Sequence, residues 1–214
     1  MSALTGLRPP RLVVDLHAIA HNYRLLAARA TPGQCGACVK ADAYGLGLEP
    51  VVRTLWAAGC REFFVATARE GLRLLGVLPH ARAWVLDGYV PAEAALYAHP
   101  GLAPALNDLD QVHAWQAAHG TRMAALQVDT GMARLGLTPG ELEALLATPA
   151  LVAGLREALL VSHLACADNP HDAHNAAQRA RFEAARVALG SPRASLAASS
   201  ALFLGAEYAY DLAR

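Results

Sequence analysis

The chain has 214 residues, of which 18 are basic and 18 acidic, so its formal net charge is zero, and 55% of it is apolar. That length suits one domain, and the even charge provides no field to gather nucleic acid or an anionic membrane surface, leaving small-molecule chemistry as the default. No apolar run reaches the roughly 18 residues that span a bilayer, and the opening of the chain lacks an apolar stretch behind a basic start, so the reading is of a soluble, cytoplasmic protein with no membrane partner.

Along the chain, short apolar runs alternate with alanine- and leucine-rich stretches of helical spacing, the pattern of a parallel sheet covered by helices. Residues 11–15 read as a strand-like opening and 17–30 as a helix that stops at Thr31-Pro32-Gly33. The first main strand is 35–40. It contains Cys35 and Cys38 as C-x-x-C, a spacing used by redox pairs and by half of a zinc site, but no second pair follows. Small residues in a buried strand are the better reading, no metal is expected, and four scattered cysteines make no disulfide framework.

Further strands are predicted at 62–66, 83–86, 102–105, 124–128, 159–163 and 194–197, with a weaker one at 209–212. Helical stretches at 48–58, 68–75, 91–98, 109–119, 139–146 and 174–189 lie between them. Eight strands with intervening helices predict the α/β class and a (β/α)8 TIM-like barrel over a single domain, 1–214. An open doubly wound sheet is disfavoured because no G-x-G-x-x-G follows the first strand. The last strand ends at or near Arg214, so the barrel is expected to be incomplete after it, with an apolar flank prone to associate.

Lys40 closes the first strand, which in a barrel puts its amine at the C-terminal mouth, where active sites are built. Partial burial disfavours an ammonium, and a lysine so placed is suited to condense with an aldehyde. A lysine merely reaching solvent from a strand end is the competing reading.

The run Val39-Lys40-Ala41-Asp42-Ala43-Tyr44-Gly45-Leu46-Gly47 resembles the cofactor-lysine motif of alanine racemases, which are fold type III pyridoxal-phosphate enzymes. The family usually has Asn at the position of Asp42 and His at that of Leu46. Three more stretches resemble later family motifs in the correct order: residues 128–137 around Arg134, 162–168 around His163, and 197–201 around Ser199.

By that resemblance Lys40 would hold pyridoxal 5′-phosphate covalently, with Tyr44 and Ser199 on the phosphate and Arg134 on the phenolic oxygen of the ring. His163 would stack on the ring and is a candidate proton relay. Arg214 would hydrogen-bond the pyridine nitrogen, keeping it unprotonated and the ring a weaker electron sink. Gln127 stands where many relatives carry a carbamylated lysine, so a negative charge beside Arg134 is replaced by an amide.

The implied activity is interconversion of L- and D-alanine, supplying D-alanine for peptidoglycan. Racemisation needs proton carriers on both faces of the substrate Cα, and Lys40 serves one. In the family the other is a tyrosine of a C-terminal β-domain, contributed by the partner in a head-to-tail homodimer. Neither Tyr208 nor Tyr210 matches it. The resemblance covers the whole chain but little more than half of a usual family member, so these residues are expected to be a shortened piece with little racemase activity of their own. Another fold type III amino-acid racemase or decarboxylase, and a non-catalytic pyridoxal-phosphate-binding barrel, remain as alternatives.

Overall fold

The computed structural model describes residues 11–214. In chain order its helices and strands are α1 (Leu16–Ala30), β1 (Gln34–Cys35), β2 (Ala37–Cys38), α2 (Lys40–Tyr44), α3 (Leu48–Ala57), β3 (Glu62–Val65), α4 (Ala68–Val77), β4 (Arg82–Val85), β5 (Leu102–Leu106), α5 (Leu109–His119), β6 (Ala125–Gln127), α6 (Pro139–Leu146), α7 (Pro149–Gly154), β7 (Leu159–Val161), α8 (Ala173–Ala188), β8 (Ala194–Ser195) and β9 (Leu212–Ala213).

Strands β2 to β8 form one parallel sheet in sequence order, and β1 pairs in parallel with β9. The two halves of the first strand share a single line interrupted at Gly36, whose N–H donates to Ala213 O at 2.7 Å. A side chain at Gly36 would meet Glu62 O at 2.9 Å, so glycine is required where the strand exchanges one neighbour for the other. Backbone bonds from Asp211 N to Ala194 O (3.1 Å) and Arg214 N to Ala197 O (2.9 Å) join the β9 segment to that of β8. Eight strand positions therefore curl around one interior, the TIM-like arrangement read from the alternation of the sequence.

The interior is packed by Phe64, Trp84, Ala103, Ala105, Ala125, Leu159, Val161 and Leu212. Bulky aromatics on β3 and β4, with ring centroids 6.4 Å apart, are complemented by alanines on β5 and β6, so large and small side chains fill the same layers. The opposite faces of the strands meet the helices in a second core that includes Phe63, Leu102, Leu126 and Leu160.

Several boundaries differ from the sequence reading. Residues 11–15 form no strand, and Leu12 and Val13 are exposed; Asp15 instead caps α1 by accepting from His17 N and Ala18 N at 2.8 and 3.1 Å. Residues 91–98 are a 3₁₀ helix rather than an α-helix, and α7 is an element not predicted. The last strand lies later than 209–212 because Ala206–Tyr208 makes a 3₁₀ turn and Tyr210 takes a left-handed φ of 50°.

The floor of the barrel, at the N-terminal strand ends, is tied by charge. Glu62 accepts from Arg193 at 2.7 and 3.2 Å and from Trp84 Nε1 at 2.9 Å, and Arg193 also reaches Gln34 Oε1 at 2.6 Å. This links β1, β3, β4 and the entry to β8, with the Glu62 carboxylate and the Trp84 indole buried and Arg193 and Gln34 at the surface. Glu62→Ala is expected to destabilise by about 1–3 kcal/mol, because it leaves the buried Trp84 indole N–H without its acceptor. Glu49→Ala, which breaks an exposed pair with Arg53, should cost under about 0.5 kcal/mol. Urea unfolding of the two variants checks the contrast.

Candidate active site

A cavity of about 650 Å³ opens at the C-terminal ends of the strands, and Lys40, Tyr44, Arg134, His163, Ser199 and Arg214 all line it. These six residues come from five stretches of sequence and are gathered by the curl of the sheet. The strands end earlier than predicted, so Lys40 and His163 stand just beyond β2 and β7, on the connections that form the rim.

Lys40 begins α2, and this turn is left-handed: Ala41, Asp42, Ala43 and Tyr44 have φ between 53 and 57°. Four consecutive L-residues in that conformation cost about 1–2 kcal/mol each, because Cβ crowds the following carbonyl. The turn is closed by Ala43 N to Val39 O (3.0 Å) and Gly45 N to Ala41 O (2.9 Å). It is clamped from outside by Glu70, whose carboxylate accepts from Ala41 N at 2.9 Å and Ala66 N at 2.8 Å. Asp42 accepts from Leu48 N at 3.1 Å and pairs with Arg73 at 3.0 Å. Tyr44 is exposed over most of its ring, but its hydroxyl points inward and donates to Cys38 Sγ at 3.1 Å; partial desolvation, then that bond, push its phenol up to about 12.

Arg134 projects from the loop after β6. Asp129 Oδ1 gathers Gly131, Met132 and Ala133 N–H groups at 2.8–3.1 Å, and Leu137 returns to bond Gln127 O at 2.8 Å. Gly136 has φ 109°, and a Cβ there would stand 2.7 Å from Val128 C, so only glycine allows the loop to close. Gln127 donates to Leu135 O at 3.3 Å, and among the described residues no hydrogen bond joins it to Arg134.

His163 and Arg214 share the depth of the cavity. Arg214 donates to Ser162 O (2.6 Å) and Ser195 Oγ (2.9 Å), with His163 Nδ1 at 3.4 Å. Burial, then the neighbouring cations Arg214, Arg134 and Lys40, hold the His163 imidazole down to about 4, so it is neutral at physiological pH. Burial also lowers Arg214, to about 10, leaving it a cation. Behind them, the fully buried Gln178 of α8 donates to His163 O and Thr130 Oγ1 and accepts from Ala165 N, linking the two loops. Ser199 is exposed at the start of the 3₁₀ turn Ser200–Phe203.

Sequence reasoning missed Glu70 and Gln178, and it read Cys38, which lines the cavity, only as a small residue of a buried strand. The run Thr67-Ala68-Arg69-Glu70 has the spacing of a helix capping box, which was the one signal available for Glu70. Among the described residues, no cluster of three potential metal ligands occurs.

The model of the N-terminal domain of alanine racemase matches residues 14–214. The chain belongs to the alanine racemase family. It is 50% identical to an alanine racemase of Rhodospirillum rubrum over 95% of its own length and 56% of that protein. It is 44% identical to a catabolic alanine racemase of Agrobacterium fabrum, again over 95% of this chain and 54% of the relative. The crystal structure of the Bartonella henselae alanine racemase with covalently bound pyridoxal phosphate superimposes with a TM-score of 0.88 at 36% identity, over 94% of this chain and 57% of that one. The chain thus spans about half the length of the family members it matches.

The low value for His163 sets a pH dependence. Unfolded, the ring takes a proton near 6.5; folded, it does so near 4, so between these values the unfolded state binds the extra proton. Stability contributed by this group is therefore present above pH 6.5 and lost as pH falls toward 4. Proton NMR should show the His163 ring resonances unchanged from pH 8 to 5; titration near 6.5 would contradict the burial and charge described.

Proposed function

We propose that this chain is the pyridoxal 5′-phosphate-binding barrel of an alanine racemase, with alanine as its amino-acid substrate. The observation that best supports it is the meeting of Lys40, Tyr44, Arg134, His163, Ser199 and Arg214 around one cavity, although they are spread from position 40 to the end of the chain. The chemistry of the donor set fits the cofactor. Among the described lining residues Lys40, Arg134 and Arg214 are three cations, against Asp87 as the one carboxylate side chain, and the cofactor brings a phosphate and a phenolic oxygen.

In this reading Lys40 would hold the cofactor covalently through its aldehyde carbon, Tyr44 and Ser199 would hold the phosphate, Arg134 would meet the phenolic oxygen, and His163 would lie against the ring. Bound in this way, the cofactor withdraws electrons from the substrate Cα and makes its proton removable. Lys40 then carries that proton on one face. Arg214, a cation fixed by the Ser162 carbonyl and the Ser195 hydroxyl, would donate to the ring nitrogen and leave it no free lone pair to protonate. The neutral His163 adds no fourth cation beside it.

A racemase also needs a proton carrier on the other face. Tyr23 and Tyr44 are the tyrosines among the described lining residues, and their hydroxyls donate to Cys35 O and Cys38 Sγ. Tyr208 and Tyr210 do not line the cavity; Tyr210 packs on Phe182 and its carbonyl lies against Gly33 at the barrel floor. By resemblance to the family, the opposite base is proposed to come from the β-domain of the partner subunit in a full-length homodimer. The physiological role proposed for that form is cytoplasmic supply of D-alanine for peptidoglycan.

These assignments are tested together on the 214-residue protein. Added pyridoxal phosphate should give a visible absorption band, and borohydride should fix the cofactor to Lys40; Lys40→Ala should show neither. In deuterium oxide, the alanine Cα proton should exchange slowly without inversion. Interconversion of the enantiomers at rates typical of enzymes, about 1–10³ per second, would contradict the one-face assignment.

A further inference from the structure

Resting on the reading of Lys40 as the cofactor lysine, we infer that Glu70 is its positioning residue: the carboxylate clamps the left-handed turn that presents the amine. Among the described residues, Glu70 is not one of those that line the cavity, and it makes no hydrogen bond or ion pair with the Lys40 amine. It lies on α4, 29 positions from Ala41, yet one oxygen takes the Ala41 N–H at 2.9 Å and the other the Ala66 N–H at 2.8 Å. The carboxylate thus ties the residue after Lys40 to the end of the neighbouring strand, β3.

The clamp falls where strain begins. Ala41, at φ 53° and ψ 52°, is the first residue of the left-handed turn, and the bonds closing that turn use the N–H groups of later residues. Its own N–H therefore depends on Glu70. Without that acceptor, Ala41 is free to relax to right-handed geometry, which swings Lys40 because the two share a peptide bond. A carboxylate is the side chain of this reach that presents two acceptors and no donor, as two converging N–H groups require. Arg73, one turn further along α4, pairs with Asp42 of the same turn, but both partners are substantially exposed. Glu70 is the anchor, and Arg73 contributes little.

The test compares the growth rate of the visible cofactor band in the wild-type protein and in variants. Glu70→Ala is expected to slow it about tenfold or more, the scale of a lost charge-assisted bond. Glu70→Gln, which matches the shape but turns a donor toward one N–H, should fall between wild type and Glu70→Ala, and Arg73→Ala should stay within about twofold of wild type. Adding Ala41→Gly to Glu70→Ala should recover much of the lost rate, since glycine enters the left-handed region without penalty. A merely structural role for Glu70 predicts no such rescue, because the added glycine makes no packing contact.

Wild-type rates in Glu70→Ala, or a loss that Ala41→Gly leaves untouched, would overturn the inference. Should Glu70→Ala fail to fold, Glu70→Gln alone and with Ala41→Gly carries the same comparison. A wild-type protein with no Lys40 adduct would defeat the functional reading instead. In that event, the Cα and Cβ chemical shifts of Ala41 and Ala43 in the cofactor-free protein still decide the clamp: they should leave left-handed values in the Glu70 variants and keep them in Arg73→Ala. Left-handed shifts retained in the Glu70 variants would overturn it.

Discussion

Three cations share the mouth of the barrel, and the positive potential they concentrate constrains what surrounds them. Lys40, Arg134 and Arg214 line the cavity, with the Asp87 carboxylate as their single acidic counterpart among its side chains. Like charges gathered in a partly desolvated space oppose further positive charge. The effect is visible in His163, which burial and these cations hold neutral, and in Arg214, lowered by burial and then by Arg134 while the nearby Cys38 thiol acts in the opposite sense. A site of this kind is completed by an anion. In the proposed function, that anion is the cofactor.

The two ends of the barrel divide the work. The floor satisfies its charge internally, with Glu62 receiving both Arg193 and the Trp84 indole, and gains from the closely packed aromatics above it. The mouth carries what destabilises: three cations against one carboxylate side chain among the described lining residues, a left-handed turn of L-residues, and loops closed by glycines at positive φ. Strain and unpaired charge persist only where surrounding structure over-determines them. Here the surroundings are particular groups: the Asp129 carboxylate under the Arg134 loop, Gln178 behind His163, and Glu70 on the Lys40 turn. The stability of the floor is what permits the mouth to hold a reactive arrangement.

Much of the barrel was legible because parallel strands buried on both faces are apolar runs, and Phe63-Phe64-Val65 or Leu159-Leu160-Val161 cannot easily be read otherwise. Boundaries were less so. The first strand reads as one run from 35 to 40, but it splits at Gly36 because tilt around the barrel gives its two halves different neighbours. The opening at 11–15 has the apolar character of a strand, yet Asp15 turns it into the approach to a helix cap. Five of the six proposed site residues were read from ordered motifs, and Arg214 from its spacing after Ser199. Their supports were hidden, because a glutamate reaching a backbone amide 29 positions away, or a buried glutamine serving two loops, leaves no periodic trace. The left-handed turn was equally silent: Lys40-Ala41-Asp42-Ala43-Tyr44 contains no glycine to announce positive φ.

The central claim is that the cavity at the barrel mouth receives pyridoxal phosphate through Lys40. A crystal structure of the protein grown with pyridoxal phosphate addresses it most directly. The account predicts continuous electron density from Lys40 Nζ to the cofactor, with the phosphate between Tyr44 and Ser199 and Arg214 at the ring nitrogen. Cofactor bound elsewhere on the surface, or attached to another lysine or amine while Lys40 stays free, would contradict it.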